Sequence, residues 1–175
     1  MKKVLVLCTG NSCRSIIAEA ILNANEIEAY SSGVKASGKV NPNAKKVLEE
    51  NGIWKNEYHS KTLDEIMDID FDLVVTVCDN AKETCPIFPK KVKTIHIPFS
   101  DPDGKDYEEF VKTYEDIKNI LLPKVKEIIE KESINSAAGA KSANGMKLDE
   151  FIHLIKDSGF IPVERDSLYN ELKVW

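Results

Sequence analysis

The pattern of apolar positions along the chain predicts strands and helices in alternation. Four segments have the composition of strands, two of them continuous apolar runs typical of strands buried on both faces: residues 3–7, 28–31, 73–77 and 93–97. Apolar residues recur at helical spacing in four others: 15–24, 41–52, 62–67 and 107–128. This order predicts parallel strands joined by right-handed crossovers. The expected fold class is therefore α/β, with a doubly wound, four-stranded parallel sheet and helices on both faces.

Residues that typically start, end or kink helices lie in or beside these segments. Asn41-Pro42 predicts a helix start, and Gly52 predicts its end. Thr62, with Glu65 three residues later, has the spacing of a capping box. Pro123 interrupts the long helical pattern at 107–128, so we expect a kink or a boundary there.

The composition changes after residue 132. Residues 133–145 are rich in Ser, Ala, Gly and Asn, which predicts a linker, and residues 148–155 form one more short amphipathic pattern, ended by Gly159. We therefore expect a domain at 1–132 and, at 133–175, a linker and C-terminal extension with one short helix.

Charge and hydropathy exclude several classes of partner. The net charge of −5 argues against a broad nucleic-acid surface, although it allows a small positive pocket for an anion. The apolar run at the N-terminus ends at Leu7, too early for a signal peptide, and no stretch is long enough to span a membrane. We expect a cytoplasmic protein without a membrane or nucleic-acid partner.

Four cysteines fall into two close pairs, Cys8 with Cys13 and Cys78 with Cys85. In the cytoplasm such pairs indicate metal binding or thiol chemistry more often than structural disulfides. A four-cysteine zinc site is one alternative, but Cys8 and Cys13 lack the spacing of a zinc knuckle.

The loop at Cys8 carries the clearest chemical signal. It runs Cys8-Thr9-Gly10-Asn11-Ser12-Cys13-Arg14-Ser15, from a predicted strand into a predicted helix. Backbone N–H groups at such a junction favour an anion, and the guanidinium of Arg14 suits a tetrahedral oxyanion. The same positive field should lower the pKa of Cys8 below the free value of about 8.5. A buried free cysteine is the simpler alternative, but it leaves Gly10, Asn11, Arg14 and Ser15 unexplained.

Residues 4–19 resemble the active-site loop of the low-molecular-weight protein tyrosine phosphatase superfamily, which includes phosphatases and thioredoxin-coupled arsenate reductases. The resemblance covers about residues 1–131. It implies that Cys8 is the nucleophile and that the residues from Thr9 to Ser15 bind the oxyanion, with no metal or bound cofactor. It also implies that Asp101, in Asp101-Pro102, is the general acid, although Asp-Pro-Asp-Gly is also a good turn sequence.

Cys78 and Cys85 resemble the redox pair of the thioredoxin-coupled arsenate reductases. Cys78 ends a parallel strand and should lie on the same rim as Cys8. Two cysteines seven apart in a regular helix are about 10 Å apart, beyond the reach of about 7 Å between the Cα atoms of a disulfide, so bonding requires the segment to unwind. The resemblance implies a relay in which Cys8, Cys78 and Cys85 act in turn, and thioredoxin reduces the final disulfide.

Other readings stay open. A phosphatase needs no second cysteine pair. In another hypothesis, Cys78 and Cys85 are two half-buried cysteines without a chemical role. The aromatic residues that phosphatases carry soon after the Asp-Pro are absent here, where Asp103, Gly104 and Lys105 follow and Tyr107 is the nearest aromatic residue. A non-catalytic redox sensor or oxyanion-binding module is a third possibility.

The end of the chain shows a different resemblance. Residues 137–146 and 158–169 look like the extreme C-terminus of radical SAM enzymes of the futalosine route to menaquinone. The chain carries nothing that resembles their Cys-x3-Cys-x2-Cys cluster loop, so we expect the extension to have no catalytic role of its own.

Overall fold

A computed structural model describes residues 1–83 and 91–139 of this chain, with side chains as far as residue 132. Its sheet has four strands, β1 (Lys3–Cys8), β2 (Glu28–Gly33), β3 (Leu73–Thr76) and β4 (Lys93–His96). They lie in the order β2-β1-β3-β4 and every neighbouring pair is parallel, which confirms the predicted fold class.

The central strands explain why the sheet is covered on both faces. Successive residues of a strand point to opposite faces, and Val4 to Cys8 of β1 and Leu73 to Thr76 of β3 are all buried. Because the strands are parallel, their carboxyl ends meet at one edge. In the register of the sheet, Cys8 lies opposite Gly33 and Thr76 opposite His96.

The helices are α1 (Arg14–Ala24), α2 (Pro42–Glu50), α3 (Asp79–Glu83), α4 (Tyr107–Asp116) and α5 (Leu122–Gly139). Asn41 caps α2 as predicted, because its side chain accepts a hydrogen bond from the Asn43 amide at 2.9 Å. The helical spacing of apolar residues at 15–24 predicted α1. In the structure residues 15–22 are all buried, because α2 and α4 pack against α1 as well as the sheet.

Two predicted helices take other forms. The segment predicted as a helix at 62–67 is a single 3-10 turn, Leu63–Glu65, although the capping box of Thr62 and Glu65 is present. Before Pro123 the helix widens into a π-helical turn, Ile117–Leu121, which joins α4 to α5. Proline lacks an amide proton and its ring crowds the carbonyl four residues earlier, so a widened turn at this point has a clear cause.

The predicted linker was wrong in its first residues. Helix α5 continues through residues 133–139, which were predicted to be irregular, because extending a helix that has already formed costs far less than starting a new one. Residues 140–175, with the predicted short helix, lie outside the described residues, so the division at residue 132 stays a prediction. Within the described part of the chain, no helix is long and apolar enough to cross a membrane.

Candidate active site

The nucleophile predicted at Cys8 is the last residue of β1, and its side chain is buried. Two groups of the following loop approach its sulfur. The Asn11 amide donates to Cys8 Sγ at 3.2 Å, and Ser15 Oγ lies 2.9 Å away. The sulfur of the predicted nucleophile therefore lies within hydrogen-bond distance of both the loop that follows it and the start of α1.

Asn11 holds the loop in shape. It has a φ of 49°, in the left-handed region that asparagine tolerates better than most residues. Its fully buried side-chain amide donates to Ser15 Oγ at 2.8 Å and to Ser31 Oγ at 2.9 Å, while Oδ1 accepts from the Lys61 amide at 2.6 Å. Asn11 therefore links the loop, β2 and the segment before the 3-10 turn.

A buried ion pair continues this network away from Cys8. Ser31 Oγ donates to Glu19 Oε2 at 2.5 Å, and Lys61 Nζ lies 3.3 Å from the same oxygen. Burial raises the pKa of Glu19 above its ordinary value, and the nearby Lys61 ammonium opposes that rise. The chain of contacts from Lys61 through Glu19, Ser31 and Asn11 ends at Ser15, beside the sulfur.

The segment at 34–41 ties down the carbonyl oxygens of the loop. Amides of this segment donate to four loop carbonyls at 2.8–3.1 Å: Val34 to Cys8, Lys35 to Thr9, Ser37 to Gly10 and Asn41 to Ser12. Gly33 makes this approach possible, because a Cβ there would lie 2.6 Å from the Thr9 carbonyl oxygen. With its carbonyls bound on one side, the loop is suited to direct its amides to the other.

Arg14, at the start of α1, reaches the segment after β4. Its guanidinium donates to the Phe99 carbonyl at 2.9 Å and lies 3.2 Å from Asp101 Oδ2. The Asp101 carboxylate also accepts from the Asp103 amide at 3.1 Å, which forms the turn expected of an Asp-Pro-Asp-Gly sequence. Arg14 and Asp101, 87 residues apart in sequence, are thus brought together.

A cleft of about 340 Å³ opens over Cys8. Its lining is small and polar: Cys8, Thr9, Gly10, Ser12, Cys13, Arg14, Ser37, Asp101 and Asp103. Tyr107, the aromatic residue nearest Asp101 in sequence, does not line it; its hydroxyl donates to Glu50 on α2 and its ring lies under Lys46. The lining within the described residues therefore suits a small inorganic oxyanion better than an aryl ring.

Cys78 lies at the carboxyl end of the strand next to β1, as predicted. Its buried sulfur is 3.3 Å from Thr9 Oγ1, which places it against the loop that begins with Cys8. The Asn80 side chain donates to the same Thr9 oxygen at 3.1 Å, and the Ala81 amide approaches Cys78 Sγ at 3.4 Å. Cys85 lies outside the described residues.

The thiol of Cys13 lacks the low pKa that a cysteine nucleophile needs. Burial is the main cause that raises its pKa from 9.0 to about 12, so it stays a protonated thiol at neutral pH. Cys8, Cys13 and Cys78 are all free thiols. Over the described ranges, 1–83 and 91–139, no three His, Cys, Asp or Glu side chains are grouped in a way that would hold a metal ion.

Sequence reasoning did not assign Lys61 or Ser31 to the site. Both lie far from residues 8–15 in sequence, and the contact between Lys61 and Glu19 depends on how the chain folds. A usable signal was present for Ser31, because Ser31-Ser32 is a polar pair in β2 at the edge where Cys8 ends β1. Polar residues at the carboxyl ends of neighbouring parallel strands favour a shared site.

Comparison with known proteins identifies the family of this chain. Residues 3–138 match the family of low molecular weight phosphotyrosine protein phosphatases. Arsenate reductase 2 of Staphylococcus epidermidis is 40% identical over 123 residues, which span 69% of this chain and 93% of the relative.

Two solved structures share both fold and sequence with the chain. An arsenate reductase from Archaeoglobus fulgidus is 32% identical with a TM-score of 0.60, over 70% of this chain and 98% of its own. A low molecular weight protein tyrosine phosphatase from T. tengcongensis is 31% identical with a TM-score of 0.64, over 73% of this chain and 99% of its own. Arsenate reductases are among the proteins that this chain is similar to. The chain belongs to the low molecular weight phosphotyrosine protein phosphatase family.

Proposed function

We propose that this protein reduces arsenate to arsenite through a thiol–disulfide relay that thioredoxin regenerates. The observation that carries the proposal is the position of Cys78, whose sulfur contacts Thr9 of the Cys8 loop. A hydrolase of this family needs only one cysteine nucleophile, whereas a reductase needs a second thiol close to the first. The similarity to curated arsenate reductases at 40% identity supports the same reading.

In the first step the Cys8 thiolate attacks the arsenic of arsenate. A sulfur–arsenic bond forms and an arsenic–oxygen bond breaks, and the departing hydroxyl takes a proton from Asp101 and leaves as water. The amides of the loop from Thr9 to Ser15 and the guanidinium of Arg14 bind the remaining oxygens. The distance of 3.2 Å between Asp101 and Arg14 supports a role for both residues at the same oxyanion.

In the second step the Cys78 thiolate attacks Cys8 Sγ. The arsenic takes the electron pair of the sulfur–arsenic bond, passes from the pentavalent to the trivalent state, and leaves as arsenite. Cys85 then attacks Cys78, which frees the Cys8 thiolate and forms a Cys78–Cys85 disulfide. The dithiol of thioredoxin reduces that disulfide and is itself oxidised.

The decisive experiment compares two reactions in one variant. With arsenate, thioredoxin, thioredoxin reductase and NADPH, Cys78→Ser should abolish NADPH consumption, because the Cys8 adduct has no thiol to resolve it. The same variant should still hydrolyse an aryl phosphate, which uses only Cys8, Arg14 and Asp101. Arsenate turnover that survives Cys78→Ser would disprove the relay.

The second candidate is a phosphatase, favoured by the contact between Arg14 and Asp101, which serves phosphoryl transfer equally well. The cleft described above offers no aromatic grip for a tyrosyl ring among the residues that line it. A phosphatase would turn over a phosphotyrosine peptide and remain inactive with arsenate and thioredoxin. A redox sensor would change its disulfide state but turn over neither the phosphotyrosine peptide nor arsenate.

The remaining parts of the proposal concern surroundings and partners. We propose thioredoxin as the partner and the cytoplasm as the location, since the relay needs thiols that are kept reduced. The acidic net charge of −5 supports the absence of a nucleic-acid partner. Pull-down with a thioredoxin variant that lacks its resolving cysteine should capture the chain through Cys78 or Cys85.

A further inference from the structure

The side chain of His96 connects β4 to the residue that follows Cys78. His96 ends β4, and its Nε2 lies 3.0 Å from Asp79 Oδ1. Its other nitrogen, Nδ1, lies 2.8 Å from the hydroxyl of Thr76, its neighbour in the register of the sheet. The imidazole is 19% exposed and the Asp79 side chain 85% exposed, so a mostly buried ring holds a carboxylate that would otherwise be free to rotate in solvent.

The direction of the hydrogen bond between His96 and Asp79 follows from the carboxylate. A carboxylate oxygen only accepts, so His96 Nε2 donates to Asp79 Oδ1. On the other side of the ring, Nδ1 and the Thr76 hydroxyl share a hydrogen bond, which holds the imidazole between β3 and Asp79. The link is therefore a structural support between the sheet and the residue that follows Cys78.

Two anchors follow Cys78 in immediate succession. Asp79 is held by His96 of β4, and Asn80 donates to Thr9 Oγ1 of the Cys8 loop. The first contact is to the neighbouring strand and the second is to the loop. Together they fix the start of α3 and, with it, the direction of the Cys78 side chain against Thr9.

We propose that His96 and Asp79 are positioning residues for the step in which Cys78 attacks Cys8. The inference rests on the proposed relay and deepens it. Nucleophilic attack on sulfur requires the attacking thiolate to approach along the line of the breaking bond, and small misplacements are costly. Because Asp79 lies next to Cys78, loss of its anchor lets the start of α3 turn, and the thiol of Cys78 leaves its line of approach.

The test isolates that single step in the full-length chain. In a Cys85→Ser background, arsenate should drive the protein to a Cys8–Cys78 disulfide and stop there. Quenching with iodoacetamide and measuring the intact mass counts the thiols lost with time. Adding His96→Ala or Asp79→Ala should slow disulfide formation by about tenfold or more, while hydrolysis of p-nitrophenyl phosphate changes by less than about twofold.

Matched variants separate positioning from general damage. Asp79→Asn keeps an oxygen that accepts from His96 Nε2 and should restore most of the rate that Asp79→Ala loses. Asp68→Ala and His59→Ala remove exposed side chains of the same types elsewhere and should leave the rate unchanged. Asp79 is exposed, so its variants keep the proposal testable even if His96→Ala fails to fold.

The outcomes distinguish the two proposals. Disulfide formation in Asp79→Ala and in any folded His96→Ala within about twofold of the Cys85→Ser parent would overturn the positioning role and leave the relay intact. A parent that forms no Cys8–Cys78 disulfide with arsenate would overturn the relay, and the positioning role with it. Equal losses in disulfide formation and in aryl phosphate hydrolysis would also overturn the inference, because they indicate damage to the whole site.

Discussion

The segments around Cys8 and Cys78 end neighbouring parallel strands, yet they are held in different ways. The loop after Cys8 leads into α1, whose residues 15–22 are all buried, and four backbone amides bind its carbonyl oxygens. Cys78 leads into α3, where four of the described residues, Asp79, Asn80, Lys82 and Glu83, are exposed. Side chains provide its contacts with β4 and with Thr9.

This difference matches the two tasks of the proposed relay. Capture of an oxyanion requires donors fixed in advance, because each donor that must reorganise reduces the stabilisation of the transition state. Passing a disulfide from Cys78 to Cys85 places a different demand on the chain, because seven residues of regular helix would hold the two Cα atoms about 10 Å apart, beyond the reach of a disulfide. Changes in the Cys8 loop should therefore impair both reactions, and changes near Cys78 should impair only arsenate reduction.

The largest effect is expected from Asn11→Ala. The change leaves the Lys61 amide without its buried acceptor, removes donors to Ser15 and Ser31, and places alanine at a φ of 49°. We expect a loss of stability of about 3 kcal/mol and a fall of about 100-fold or more in both reactions. Urea unfolding and the two activity assays measure these losses.

Asn119→Ala is the matched control for this change, since the Asn119 side chain is exposed on the π-helical turn. The free energy of unfolding of this variant should stay within about 0.5 kcal/mol of the wild-type value. Wild-type hydrolysis of aryl phosphate by Asn11→Ala would contradict the view that the loop must be fixed before the anion arrives.

The next effect concerns the buried pair of Lys61 and Glu19. Lys61→Met leaves a buried carboxylate without its cation, which should cost about 3 kcal/mol of stability at neutral pH. Burial raises the pKa of Glu19, so the folded state binds that proton more tightly than the unfolded state does. Stability of the variant should therefore increase as the pH falls from neutral toward the ordinary glutamate value of 4.5.

Urea unfolding of Lys61→Met at pH 8 and pH 5.5 tests this sign. Adding Glu19→Gln removes the buried charge, so the double variant should recover part of the lost stability and lose the extra pH dependence. Stability of Lys61→Met that decreases toward pH 5.5, relative to the wild type, would contradict the assignment of Glu19 as the group responsible.

The smallest effect is expected near Cys78. Asn80→Ala removes the hydrogen bond to Thr9 Oγ1 and leaves the contact between His96 and Asp79 in place. We expect arsenate turnover to fall by about threefold to tenfold and aryl phosphate hydrolysis to stay within about twofold. Equal losses in both assays would show that the segment after Cys78 is part of the oxyanion site, and the contrast between the two regions would fail.

Much of the fold followed from the sequence for local reasons. The strands at β1 and β3 are continuous apolar runs, and the helix starting at Pro42 carries its own cap in Asn41, so neither needed distant information. The sequence was a weaker guide where neither a start signal nor local composition fixes the length of a helix. The segment after Thr62 carries a full capping box yet forms one 3-10 turn, and residues 133–139 continue α5 although their composition resembles a linker.

The sequence by itself determined the chemistry of the loop, because Cys8, Asn11, Arg14 and Ser15 lie within eight residues between a strand and a helix, where geometry follows from local structure. The tertiary structure decided which distant groups complete it. Asp101 reaches Arg14 and Cys78 reaches Thr9 because parallel strands bring their carboxyl ends to one edge. Lys61 reaches Glu19 because its segment pairs with Gly33 at the end of β2. The link from His96 to Asp79 has the same origin, since strand register sets the distance between two residues that local sequence leaves unrelated.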